Sequence, residues 1–146
     1  MFMGEYHHNI DEKGRIVIPG KFRNEEMTKV IVTRGIEKCL YLYTVEEWDK
    51  LVAKLNTLPF TKKDARAFMR SFFAGASVCE FDKNGRINIT SPLVSYAGLT
   101  KECVVIGVND RIEIWDEELY NNFMDENSSE MESIAEHLFE VSNEAL

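Results

Sequence analysis

The sequence predicts an α+β fold that is built from two copies of one small module. Three observations lead to this prediction: an internal repeat, strand patterns that alternate with helical ones, and a composition with 45% apolar and 29% charged residues. Such a composition is typical of a globular chain with one or two domains. No apolar run approaches the ~20 residues that a membrane span needs, and residues 1–5 lack the basic start of a secretory signal.

The repeat is clearest around two Asp-x-x-Gly-Arg segments. Residues 11–18 match residues 82–89 at an offset of 71, and the match continues at an offset of 72 from Gly35 to Trp48. This period exceeds the roughly 20–50 residues of solenoid and propeller repeats. The sequence therefore divides into module 1 (1–58), a linker helix (59–71), module 2 (72–124) and an acidic C-terminal tail (125–146).

Each module begins with a turn. Asp at the first position and Gly at the fourth favour a type I turn whose Gly has φ > 0. In module 1, strands follow at residues 15–18, 30–33 and 39–43. A helix then closes the module, because Thr44 and Glu47 form a capping box and apolar residues recur with helical spacing from Trp48 to Leu55.

Module 2 repeats this order. Strands are predicted at residues 86–89, 103–108 and 111–115, and Asp116 caps the closing helix. A short helix follows the first strand, with Ser91 as its N-cap, Pro92 at its first position and Gly98 at its end.

The linker also has a helical pattern. Residues 61–64 can cap a helix over residues 65–73, which Gly75 ends. A module of about 50 residues buries too little apolar surface to fold alone. We therefore expect the two modules to complete each other, with the linker helix packed between them.

Charge is unevenly distributed along the chain. Residues 1–70 contain 13 Lys and Arg against 10 Asp and Glu, whereas residues 71–146 contain 4 against 15. Residues 125–146 hold seven acids and no Lys or Arg. Although the net charge is −8, this distribution predicts a basic face in the N-terminal half and a solvated acidic helix at the C-terminus.

No arrangement of residues predicts catalysis. The sequence has no convincing Ser-His-Asp order and no glycine-rich nucleotide loop. The cysteines, Cys39, Cys79 and Cys103, are widely spaced, which disfavours a zinc site and a disulfide framework and favours a reducing cytosol. We therefore expect no enzymatic activity, metal, cofactor or small-molecule substrate.

The duplicated Asp-x-x-x-Arg pattern is the strongest functional signal. In each copy an arginine, Arg15 or Arg86, directly follows the turn. A hairpin tip with Arg and Lys can enter a DNA groove and contact phosphates or guanine edges. Alternatively, each arginine forms an exposed ion pair with Asp11 or Asp82 of its own turn, an interaction of little energy. The spacing alone favours neither interpretation.

Neighbouring cations favour the first copy as the stronger DNA site, because residues 13–23 contain four Lys and Arg. Lysines inside the turns are expected to contact DNA together with the arginines, and the second copy forms the weaker set. The candidate residues are Asp11, Lys13, Gly14 and Arg15 in the first copy and Asp82, Lys83, Gly85 and Arg86 in the second.

Longer motifs add a family resemblance. The segments that carry it are MFMGEY (1–6), DEKGRIVIP with KFR (11–23), DARAFMR with FFAGA (64–76), DKNGRI (82–87) and YAGL (96–99). Through them the sequence closely resembles the MraZ family over about residues 1–124.

The resemblance implies a bacterial transcriptional regulator with two tandem AbrB-like swapped-hairpin modules, which form a double-split β-barrel with flanking helices. It further implies a homo-oligomeric ring that binds double-stranded DNA at short direct repeats upstream of the operon for cell division and cell-wall synthesis. Such a protein is cytoplasmic and associated with the nucleoid. Carried over to this sequence, the DNA motif falls on Asp11 with Arg15 and on Asp82 with Arg86.

Module 2 departs from the family pattern at two places, and a second function stays open. Thr90 stands where the family usually has Pro, and Val94 with Ser95 stands where a charged pair is common. These departures weaken the case for DNA contact by module 2. Because AbrB-type modules also occur in antitoxins, the acidic segment 125–146 could instead fold on a basic protein partner.

Overall fold

Over residues 1–145, eight strands and five α-helices form an α+β arrangement. The computed structural model describes the backbone of residues 1–145 and the side chains of residues 1–140. It divides into two compact units, residues 1–116 and the segment from Glu117 onward. Within the first unit the strands are β1 (Phe2–Asn9), β2 (Arg15–Val17), β3 (Lys29–Arg34), β4 (Leu40–Tyr43), β5 (Ser77–Glu80), β6 (Arg86–Asn88), β7 (Glu102–Asn109) and β8 (Arg111–Asp116). Its helices are a 3-10 turn (Gly20–Phe22), α1 (Val45–Leu55), α2 (Lys63–Ala74) and α3 (Ser91–Ala97).

Strands from the two copies interleave. Six of them form one antiparallel sheet in the order β1-β7-β8-β4-β3-β5, and the other two form the pair β2-β6. The first strand of each copy therefore pairs with the other copy, β1 with β7 and β5 with β3. Exchanging the copies reproduces every pair of the sheet, so the repeat in the sequence corresponds to a pseudo-two-fold axis. Over residues 1–116 the six-stranded sheet stays open at β1 and β5.

Both copies contribute to one hydrophobic core. Fully buried side chains come from the corresponding pairs Ile16 with Ile87 and Ile18 with Ile89, and from the strands β3, β4, β7 and β8. Half of this core is missing from either copy taken alone. The expectation that the modules complete each other agrees with this shared core.

The linker helix α2 packs on α1 through aromatic rings and is hydrogen-bonded to β3. Phe72 stacks on Trp48 of α1, with the ring centroids 5.5 Å apart. Phe68 stacks on Phe72 with the same distance between the ring centroids. The hydroxyl of Thr33 on β3 donates to the carbonyl of Phe72. The aromatic stripe of the linker is therefore part of the packing of residues 1–116.

The helix ends test the capping predictions. Thr44 is the N-cap of α1 and its Oγ1 accepts from the Glu47 N–H at 3.1 Å, and Gly75 ends α2, as predicted. The predicted start of α3 is wrong by one residue, because Thr90 takes the N-cap position and Pro92 the second helical position. The carbonyl of Thr90 accepts the first helical hydrogen bonds. Pro92, which has no N–H group, fits the second helical position because N–H groups of the first turn have no intrahelical acceptor.

The second unit consists of two helices, α4 (Glu117–Ser128) and α5 (Met131–Ala145). The acidic tail is thus helical over residues 131–145, which agrees with the helix predicted there. Large apolar side chains of α5 are exposed, with Leu138 at 62% and Phe139 at 71% of full accessibility. Over residues 1–145, no helix combines the length and apolar character of a membrane span.

Candidate nucleic-acid interface

The first turn is organised by the carboxylate of Asp11. Its Oδ1 accepts from the backbone N–H groups of Lys13 and Arg15, each at 2.9 Å. Its Oδ2 accepts from Nε of Arg15 at 2.7 Å, and its carbonyl accepts from the Gly14 N–H at 3.0 Å. One carboxylate therefore closes the turn and fixes the arginine that follows it.

The second turn has the same construction. Oδ1 of Asp82 accepts from the backbone N–H groups of Asn84 at 2.8 Å and Arg86 at 2.9 Å. Oδ2 accepts from Nε of Arg86 at 2.8 Å, and the carbonyl accepts from the Gly85 N–H at 3.1 Å. The repeated sequence pattern thus produces the same local geometry twice.

The glycines of both turns adopt the left-handed conformation that the pattern predicts. Gly14 has φ +81° and Gly85 has φ +75°. Each turn is also tied to the other copy, because Ile89 N–H donates to the Gly14 carbonyl at 2.7 Å and Ile18 N–H donates to the Gly85 carbonyl at 3.1 Å. The two turns are therefore positioned by one ladder and not by independent hairpins.

Hydrogen bonding to the charged form lowers the pKa of both aspartates. For Asp11 the main cause is the N–H of Arg15, and for Asp82 it is the N–H of Arg86; the guanidinium groups act in the same direction. Both carboxylates are consequently ionised at neutral pH, the state that orders the turns.

The two arginines lie on the same face of the β2-β6 pair. Ile16 is paired with Ile87 and both are buried, so the residues on either side of them point to the opposite face. Val17 is paired with Arg86, so Arg15 and Arg86 are two residues apart along the ladder and one strand apart across it. At ~3.3 Å per residue and ~4.8 Å between strands, their Cα atoms are roughly 8 Å apart.

The arginines are ion-paired, as the second interpretation of the sequence holds, yet each pair leaves donors free. The side chains of Arg15 and Arg86 are 36% and 28% exposed. Aspartate takes only Nε of each guanidinium, so within the described residues the Nη groups donate to no acceptor. Lys13 and Lys83 are exposed in their turns. The ion pair thus orients a guanidinium whose outer edge can still bind an anion.

Arg23 is the residue whose position the sequence did not reveal. Sequence proximity groups it with the first turn, whereas the structure places it against the second. Its guanidinium lies flat on Gly85, so that a Cβ added there would be 2.5 Å from Cζ of Arg23. Its Nε donates to the Ile18 carbonyl at 2.7 Å. The offset of 71 pairs Arg23 with Val94, which signals a difference between the copies but not where Arg23 lies.

A family model covers almost the whole chain and matches it twice. The model described as "MraZ protein, putative antitoxin-like" matches residues 1–71 and 72–141.

The chain belongs to the MraZ family.

The two matches to the MraZ model meet between residues 71 and 72, which agrees with the tandem repeat inferred from the sequence. Each match contains one Asp-x-x-x-Arg turn. In this MraZ chain the two turns therefore occupy corresponding positions of two family repeats, which share one β2-β6 ladder.

Proposed function

We propose that this MraZ-family protein is a sequence-specific, DNA-binding transcriptional regulator. Its modules are AbrB-like swapped hairpins, and it acts in the cytoplasm on the nucleoid, without catalysis. The DNA it binds consists of short direct repeats upstream of the operon for cell division and cell-wall synthesis. The interleaved strand pairs β1-β7, β5-β3 and β2-β6 support the swapped-hairpin assignment.

The observation that carries the proposal is the pair of oriented arginines on one outer face. Asp11 and Asp82 each hold one Nε and leave the Nη groups of Arg15 and Arg86 without an acceptor among the described residues. A guanidinium can donate two parallel hydrogen bonds to a phosphate or to O6 and N7 of guanine. Because the aspartate restricts the side chain beforehand, little conformational entropy is lost when DNA binds.

The acidic net charge does not oppose this function, because DNA attraction depends on the local charge of the contact surface. The excess of acids lies largely in residues 117–145, a separate compact unit. A homo-oligomeric ring would present several copies of the ladder to repeated DNA sites. Weak single contacts would then combine through effective concentration.

Footprinting on the DNA upstream of the protein's own gene tests the proposal. We expect protection of regularly spaced short repeats. An Arg15→Ala/Arg86→Ala protein should lose this protection, since one bidentate base contact contributes about 1–3 kcal/mol, or roughly 5- to 150-fold in affinity. Lys54→Met is the matched control, because it removes a positive charge from exposed α1 and should leave the footprint unchanged. Equal protection by the double variant would contradict the proposal.

A second candidate function is that of an antitoxin-like module that binds a basic protein. The family description uses the word antitoxin-like, and α5 combines acidic residues with exposed Leu138 and Phe139. A stoichiometric basic partner that is released on deletion of residues 125–146, together with an empty footprint, would favour this candidate over the regulator.

A further inference from the structure

The second turn has a cation that comes from the other copy. Arg23 follows the 3-10 turn of module 1, yet its guanidinium covers Gly85, a residue of the turn that also contains the exposed Lys83 and leads into the half-buried Arg86. Cζ, Nη1 and Nη2 of Arg23 would lie 2.5, 2.6 and 2.7 Å from a Cβ at position 85, so the guanidinium fills the space that a side chain at this position would need.

Among residues 1–140, whose side chains are described, no equivalent cation covers Gly14 of the first turn. The counterpart of Arg23 is Val94, which packs against the hydrophobic core. A Cβ at Gly14 would instead meet the carbonyl of Ile89 and the amide oxygen of Asn88. The pseudo-two-fold axis therefore relates two turns with the same backbone but different surroundings.

The formal charges of the turns differ in the same sense. Residues 11–15 contain two acids and two bases, because Glu12 stands in the first turn, whereas residues 82–86 contain one acid and two bases. With Arg23, the second turn carries a net charge two units more positive than the first.

We propose that Arg23 of module 1 contacts a DNA phosphate beside the second turn, and that the second turn is therefore the stronger of the two DNA contacts. This inference rests on the DNA-binding function proposed above and reverses the order expected from the sequence, which favoured the first copy.

The geometry points to the DNA backbone as the ligand of Arg23. Its Nε is occupied by the carbonyl of Ile18, which leaves the two Nη groups as the donating edge; among the described residues they have no acceptor. Two parallel donors match two oxygens of one phosphate. The guanidinium lies over Gly85 of the turn, whereas Arg15 and Arg86, on the outer face of β2-β6, are the residues that can read bases.

The test is the salt dependence of DNA binding by the full-length protein. Each phosphate contact contributes about 0.9 to the slope of log affinity against log salt. We expect Arg23→Met to lower this slope by about 0.9, both on duplexes that contain the direct repeats (the operator) and on unrelated duplexes. Arg23→Lys should retain most of the wild-type slope. Lys54→Met is the matched control for loss of one positive charge and should leave the slope unchanged.

A transfer variant tests the asymmetry directly. Val94→Arg places a cation at the position that corresponds to Arg23 and should raise the slope by about 0.9. In the same titrations, Arg86→Ala should reduce affinity more than Arg15→Ala. This part remains decisive if Arg23→Met proves too unstable to study.

The outcomes separate this inference from the proposed function. If wild type binds the operator and Arg86→Ala weakens it, but Arg23→Met and Val94→Arg leave the slope unchanged, Arg23 only supports the turn and the inference is overturned. A larger loss of DNA affinity in Arg15→Ala than in Arg86→Ala would also overturn the inference. If wild type binds no duplex, the proposed function fails and the inference fails with it.

Discussion

Alanine at the two turn glycines should have unequal effects on stability, although both glycines have positive φ. An L-residue in the left-handed region costs about 1–2 kcal/mol, and this term is common to Gly14→Ala and Gly85→Ala. The difference comes from what the new Cβ meets. At position 14 it meets the backbone oxygen of Ile89 at 2.5 Å, whereas at position 85 it meets the end of the Arg23 side chain at 2.5 Å.

The flexibility of these neighbours sets the magnitude. The Ile89 carbonyl belongs to the segment whose N–H donates to Gly14, so relief requires a shift of the β2-β6 ladder, an overpacking cost of about 1–3 kcal/mol. Arg23, which supplies the nearest atoms at position 85, can swing away at the cost of its bond to the Ile18 carbonyl, about 0.5–1.5 kcal/mol. We expect Gly14→Ala to destabilise by about 2–5 kcal/mol and Gly85→Ala by about 1 kcal/mol less.

Urea denaturation followed by far-UV circular dichroism measures both changes. A double-mutant cycle with Arg23→Ala adds a sharper criterion. Arg23→Ala should make Gly85→Ala less costly by about 0.5–1.5 kcal/mol, because the clash and the lost hydrogen bond are then counted once. The cost of Gly14→Ala should be unchanged within about 0.5 kcal/mol. Equal coupling in both cycles, or a larger cost for Gly85→Ala, would refute this placement of Arg23.

Three further predictions concern buried and titrating groups. Glu113 is buried and accepts from Arg111 and from Trp115 Nε1, so Glu113→Ala should lower the urea unfolding free energy by about 3 kcal/mol and Glu113→Gln by less; equal losses would contradict the role of the charge. The three cysteines are buried thiols, and burial raises the pKa of the Cys39 and Cys79 thiols, so a thiol reagent should react slowly with the native protein and should react with all three cysteines in urea. Hydrogen bonds lower the pKa of Asp11 and Asp82 in the folded protein. The stability that these two carboxylates contribute is therefore present above the ordinary Asp pKa of about 3.9 and is lost as pH falls through the lower folded pKa values. In Asp11→Asn/Asp82→Asn the urea unfolding midpoint should change less with pH in that range.

Local patterns in the sequence predicted local structure well. The Asp-x-x-Gly spacing indicated the positive φ of Gly14 and Gly85, and Thr44 with Glu47 indicated the start of α1. These features depend on residues within four positions of one another. The start of α3 was misplaced by one residue because Thr90 and Ser91 are both suitable caps, and only the backbone shows which carbonyl accepts the first helical bond.

The repeat predicted two copies but not their strand partners. The repeat at an offset of 71 indicates that the two copies share a fold. Because each copy is too small to bury a sufficient core, the copies are also expected to associate. The repeat does not say that β1 pairs with β7 or β2 with β6, because pairing between distant strands depends on which long-range arrangement buries the most surface. The family resemblance implied that strands of one copy pair with strands of the other, and the observed strand order agrees with this pairing.

The interleaving of strands also means that the charge of each half of the sequence does not describe the charge around each turn. Residues 1–70 carry the positive excess and residues 71–146 the negative one, and this difference suggested a stronger first turn. Interleaving brings β2 beside β6 and places Arg23 on Gly85, so a cation of the first half lies at the turn of the second. Since exposed charges act over about 8 Å at physiological salt, the charges around each turn decide its attraction for phosphate. The relative losses of affinity in Arg15→Ala and Arg86→Ala therefore measure which description of charge, by sequence half or by spatial neighbourhood, governs binding.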